Sequence, residues 1–107
     1  MKLVVYIEDN PSNFALARKI LEWTGHYQVL GAKDGISGLE MVRERRPDVV
    51  LLDLDLPGIS GIEVVQAIRR TPEIARTPVL AVTASVMKRE RTQAMAAGCD
   101  CFIEKPF

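Results

Sequence analysis

Five short apolar runs, separated by longer stretches of helical period, leave this chain few folds to choose from. Leu3 to Ile7, Tyr27 to Ala32, Val49 to Leu52, Val79 to Val82 and Cys101 to Ile103 each have the length of a strand. Strands alternating with helical segments are the pattern of βαβ units and a parallel sheet. Four of the five runs end in groups that carry chemistry: Glu8-Asp9, Asp53, Thr83 and Glu104-Lys105. In an open parallel sheet these ends share one edge, where such folds bind ligands. Carboxylates, a hydroxyl and an ammonium gathered there suit Mg²⁺ and a phosphoryl group.

The segments between the runs read as helices. Asn10-Pro11 places an N-cap before a proline at the first helical position, and Phe14, Ala17, Ile20 and Leu21 follow at helical spacing up to Gly25. A second helix is predicted from Gly35 to about Arg45, with Ile36, Leu39 and Val42 inward, ending before Pro47. A third runs from about Gly61 to Arg70, with Val65 and Ile68 inward. The fourth, about Met87 to Ala97, has a weakly amphipathic pattern and ends at Gly98. Right-handed crossovers then give an α/β, doubly wound, five-stranded parallel sheet of order 2-1-3-4-5, with the first helix alone on its face. A fifth helix would complete that face. It is missing from this chain, so apolar sheet beside the first helix is expected to be exposed.

At 107 residues the chain is one domain, well under the roughly 250–300 at which single cores divide. Its 14 Lys and Arg balance 14 Asp and Glu, and the basic residues Arg43, Arg45, Arg46, Arg69, Arg70, Lys88, Arg89 and Arg91 read as solvated helix faces. Direct nucleic-acid binding is therefore not expected. No run approaches the roughly 18 apolar residues of a membrane span, and the Leu3 to Ile7 run is too short for a secretory core, so a cytoplasmic location is expected. Cys99 and Cys101 read as buried or half-buried thiols, since Cys-x-Cys is poorly placed for a disulfide and zinc would need two further ligands. Trp23 and the four methionines read as packing residues and His26 as exposed.

Glu8-Asp9, Asp53-Leu-Asp-Leu-Pro57 with Gly61, Thr83-Ala84 and Lys105-Pro106 occur in that order, each at a strand end. In this the chain resembles the receiver domain of two-component response regulators, over its whole length. The resemblance implies a flavodoxin-like receiver domain spanning 1–107, without its C-terminal helix. It implies that Asp53 accepts a phosphoryl group from a sensor histidine kinase or histidine phosphotransfer protein. It further implies that Asp9, Asp53 and the backbone carbonyl of Asp55 hold Mg²⁺, with Glu8 reaching it mainly through water. Lys105 would pair with the phosphoryl oxygens, Thr83 would donate its hydroxyl, and small Ala84 would keep the acceptor open. Phe102 falls at the family's switch position, and Asp55 and Ser85 fall where the acyl-phosphate lifetime is tuned. Lys105-Pro106 is implied to be a cis peptide. The domain would be a signalling module, not an enzyme beyond its own phosphorylation and dephosphorylation; dimerisation and the output partner are left open.

Two other readings compete. Asp53-Leu54-Asp55 mimics the Asp-x-Asp of haloacid-dehalogenase-like phosphatases, but that pair follows a first strand and needs further acidic residues in a larger core with a cap. A receiver-like scaffold that is never phosphorylated is the other, although every matched position is chemically competent.

Overall fold

The structure, a computed structural model, describes residues 1–54, 56, 58–83 and 88–104. Strands β1 (Lys2–Ile7), β2 (Tyr27–Ala32), β3 (Val49–Asp53), β4 (Val79–Thr83) and β5 (Cys101–Glu104) alternate with helices α1 (Pro11–Trp23), α2 (Gly35–Arg45), α3 (Gly61–Arg70) and α4 (Lys88–Ala97). All pairings are parallel, and the strand order is β2-β1-β3-β4-β5. This is the doubly wound, flavodoxin-like arrangement that the apolar runs predict. Pro72–Ile74 adds a short 3-10 turn between α3 and β4.

Side chains alternate across the sheet, so each strand feeds two cores. Val5, Ile7, Val50, Leu52, Val79 and Ala81 face α2, α3 and α4, where Val42, Val64, Val65, Ile68 and Ala94 meet them. Val4, Tyr6, Val29, Leu51 and Val82 face the other way, toward Phe14, Ala17 and Leu21 of α1. Each fully buried aliphatic side chain contributes about 1.5–3 kcal/mol, so the central strands supply much of the stability. Among the described helices only α1 covers the second face. Beside it, Val4, Leu21, Tyr27, Leu51, Val82 and Ile103 line an apolar groove, although Val4, Leu51 and Val82 are themselves buried rather than exposed as the unequal covering of the sheet predicts.

Local chemistry sets the helix starts. Asn10 Oδ1 accepts from the Ser12 and Asn13 amides at 2.9 and 3.2 Å, Asp34 from Ser37 at 2.8 Å, and Ser60 Oγ from Glu63 at 3.2 Å. Each cap satisfies an amide that a helix terminus otherwise leaves unpaired. These three helices therefore begin at the sheet edge where the strands end. Arg46 closes α2 in the left-handed region (φ 46°), its amide bonded to Val42 O at 2.9 Å, and Pro47 follows.

Several expectations for single residues fail. Ile36 is 60% exposed rather than inward, and Ile20 lies half outside the core. Trp23 and Met1, both 87% exposed, are surface groups and not packing residues, and Met95 is also exposed. Cys99 is buried as expected, but Cys101 is exposed. Burial pushes the Cys99 thiol up to about 11, which keeps it protonated. Arg69 is no solvated helix residue. Its guanidinium donates to the carbonyls of Gly98, Ala75 and Thr77 and to the Asp100 carboxylate, all between 2.6 and 3.0 Å. Asp100 also accepts from the Val79 amide at 2.8 Å, so one ion pair joins α3, the end of α4 and the start of β4. His26 is exposed, as read. Among the described residues no helix is long and apolar enough to cross a membrane.

Candidate functional site

β1 and β3 run side by side with Tyr6 opposite Leu51 and Ile7 opposite Leu52. One step further, the same register sets Glu8 beside Asp53. Asp9 follows directly and leads through the Asn10 cap into α1. Glu8, Asp9 and Asp53 each bring a carboxylate oxygen into one cluster whose atoms all lie within 4.8 Å of one another. Glu8 and Asp53 are 3% and 4% exposed, whereas Asp9 faces solvent.

Such a grouping is electrostatically expensive by itself. At that separation two full negative charges repel by about 3 kcal/mol with an effective dielectric of about 20. Burial adds a desolvation cost for each ion. Hard anionic oxygens at a strand edge fit a hard divalent cation such as Mg²⁺, which takes oxygen ligands and keeps several waters; soft thiolate-seeking metals do not match this set. Asn13 Nδ2 donates to Glu8 Oε1 at 2.8 Å, fixing that carboxylate from the first turn of α1.

The start of α3 lies hard against the end of β3. A Cβ on Gly61 would lie 2.7 Å from Leu54 Cα and 2.9 Å from Asp53 O, so only glycine lets α3 begin this close to the strand that carries Asp53. Thr83 is fully buried at the end of β4. Thr83 pairs with Glu104, and Ala81, two residues earlier on the same face, pairs with Phe102. Phe102 is half-buried against the core beneath α2, α3 and α4, diagonal to Thr83.

Of the residues singled out in the sequence, Glu8, Asp9, Asp53 and Thr83 thus end neighbouring strands at one edge, with Phe102 one diagonal step below. Asp55, Ala84, Ser85 and Lys105, with the Lys105-Pro106 peptide, lie outside the described residues. Two site neighbours escaped the sequence reading. Asn13 is an ordinary first-turn residue until its partner is known. Tyr6 is the one polar-tipped side chain in the aliphatic run Leu3 to Ile7, two residues before Glu8, and that spacing was a usable signal. It is fully buried, and its hydroxyl has no hydrogen-bond partner among the described residues. Burial first, then the Glu8 and Asp53 carboxylates, raise its pKa far above the ordinary phenol value, so it remains a donor.

Residues 4–107 match the family model for the response regulator receiver domain. The chain belongs to the receiver-domain family of two-component response regulators. This receiver domain is 38% identical over 105 residues to the polar-differentiation response regulator DivK of Brucella anthropi, covering 98% of this chain and 85% of that one. Among solved structures it is similar to the chemotaxis protein CheY4 of Vibrio cholerae, with a TM-score of 0.93 and 28% identity over 100% of this chain and 88% of that one. It is similar too to the receiver domain of the sensor histidine kinase PA1611 of Pseudomonas aeruginosa. There the TM-score is 0.91 with 30% identity, over 99% of this chain and 86% of that one. That structure has a magnesium ion coordinated in its active-site cleft.

Proposed function

We propose that this receiver domain, residues 1–107, takes a phosphoryl group onto Asp53 in a Mg²⁺-dependent reaction and relays it as a change of binding surface. The observation that carries this reading is the convergence of Glu8, Asp9 and Asp53 oxygens within 4.8 Å at the end of β3, with Asp53 almost fully buried. An Asp53 oxygen attacks phosphorus, and the P–N bond of a phosphohistidine breaks with its electron pair returning to the imidazole. The product is an acyl phosphate. Asp9, Asp53 and the Asp55 carbonyl would hold the cation, with Glu8 reaching it mainly through water. Bound there, Mg²⁺ supplies neutralising charge for the carboxylates and the phosphoryl oxygens.

The remaining residues position and read out. Lys105 contributes a point charge to the phosphoryl oxygens, and the Thr83 hydroxyl donates to one of them. With Thr83 drawn toward the phosphoryl group, Phe102, diagonal to it, changes its packing and alters the α4–β5 surface. Asp55 and Ser85 tune the lifetime. The phosphodonor is a sensor histidine kinase or a histidine phosphotransfer protein, and the setting is the cytoplasm.

The test is stoichiometric. Treated with a small acyl-phosphate donor and Mg²⁺, the chain should gain one phosphoryl mass and lose it slowly, with little gain when Mg²⁺ is chelated. Steady release of phosphate from phosphomonoesters would favour a phosphatase instead, and no gain at all would favour a scaffold.

A further inference from the structure

The phenol of Tyr6 stands out among the buried side chains of the described residues. Tyr6 has no solvent exposure, and its hydroxyl meets no hydrogen-bond partner among the described residues. A buried hydroxyl without a partner is destabilising, and phenylalanine would fill the same space without that penalty. Its place in the sheet suggests a use. By strand alternation Tyr6 shares a face with Glu8, and by register it stands opposite Leu51, which shares a face with Asp53. The phenol therefore occupies the row directly beneath the Glu8 and Asp53 pair, and strand side chains lean along the strand. Phe14 of α1 flanks it, ring centroids 6.1 Å apart, so the ring has little freedom to turn elsewhere.

We propose that Tyr6 is a positioning residue of the divalent-cation site, its hydroxyl donating to a carboxylate oxygen of the Glu8 and Asp53 pair when the cation is held. This rests on the reading of the acidic cluster as a Mg²⁺ site. A bound cation would neutralise the carboxylates, and Tyr6 would hold the Glu8 and Asp53 pair from below, as Asn13 holds Glu8 from the side. Partners of metal-binding carboxylates orient them in this way, and losing one weakens metal binding by about tenfold or more. Binding the cation thereby relieves the cost of the unpaired hydroxyl, which couples metal affinity to one oxygen atom in the core.

The experiment compares the parent with Tyr6→Phe, and with Tyr27→Phe as a control on the same face away from the cluster. Mg²⁺ affinity is measured by calorimetry, and thermal midpoints with and without Mg²⁺. The proposal predicts that Tyr6→Phe melts at the same or a higher temperature without the ion, binds Mg²⁺ about tenfold more weakly, and gains less from it. Tyr27→Phe should bind as the parent does. Equal affinity and equal Mg²⁺-induced shifts in Tyr6→Phe would overturn the proposal while leaving the metal site intact. A parent chain that binds no Mg²⁺ would instead overturn the reading of the site, and this inference with it.

Discussion

Asn13 and Glu8 are joined by a 2.8 Å hydrogen bond between the first turn of α1 and the end of β1. The bond ties the placement of a helix to the shape of an acidic cluster. Asn10 caps the same turn, so the β1–α1 loop is held at both ends and Asp9 lies between them.

Removing the Asn13 donor should therefore be costly for a part-buried position. A hydrogen bond to a charged, largely buried carboxylate contributes about 2 kcal/mol, and Asn13→Ala should lower unfolding free energy by about that amount. Urea denaturation checks it, and a change below about 0.5 kcal/mol, as expected of a surface site, would contradict the assignment.

Arg69 should be among the most sensitive charged positions described. Arg69→Met strips the Gly98, Ala75 and Thr77 carbonyls and Asp100 of their common donor and should cost about 2–3 kcal/mol. Its neighbour Arg70 is exposed and, among the described residues, bonds within α3, so Arg70→Ala should change stability by less than about 0.5 kcal/mol. Paired denaturation curves separate the two.

Gly61→Ala should perturb stability and site together. The new Cβ meets backbone at Leu54 and Asp53, which cannot rotate away, so a cost of about 1–3 kcal/mol is expected. Because the displaced atoms belong to the end of β3, Mg²⁺ affinity should fall in the same variant. Calorimetry showing unchanged affinity would mean that the loop absorbs the methyl without moving Asp53.

Acid stability should depend on carboxylates that accept backbone amides. Backbone donation from Ser37 holds the Asp34 carboxyl below its usual range, and donation from the Val29 amide does the same for Glu22. A carboxyl lowered on folding stabilises above its unfolded pKa and loses that contribution as pH falls through its folded value. Asp34→Ala should thus be less stable than the parent at neutral pH, and the gap should close below about pH 4. Thermal midpoints across pH 3–7 would show it, and a gap that widens on acidification would contradict the sign.

Much of this fold was legible because its signals are local and repeated. The five apolar runs are the five strands, and α2 and α3 start at Gly35 and Gly61, where turn residues precede a change of hydrophobic period. Crossover handedness then sufficed for the strand order. Exposure was harder to read. Ile36 and Trp23 fit the helical period yet project outward, because period alone does not say where the covering layer ends. Arg69 is illegible for the opposite reason: its partners are carbonyls 6 to 29 residues away, and no sequence pattern marks a carbonyl that lacks a donor. The acidic cluster was visible as charges at strand ends, but the side chains that support it, Asn13 and Tyr6, emerge only when α1 is laid over β1.

Asp53, held with Glu8 and Asp9 in one cluster, is the proposed phosphoacceptor. Intact mass after treatment with a small acyl-phosphate donor and Mg²⁺ tests it most directly, for the parent, Asp53→Asn and Asp55→Asn. One added phosphoryl group on the parent and on Asp55→Asn, with none on Asp53→Asn, is the predicted result. Phosphorylation of Asp53→Asn at the parent's rate would contradict it.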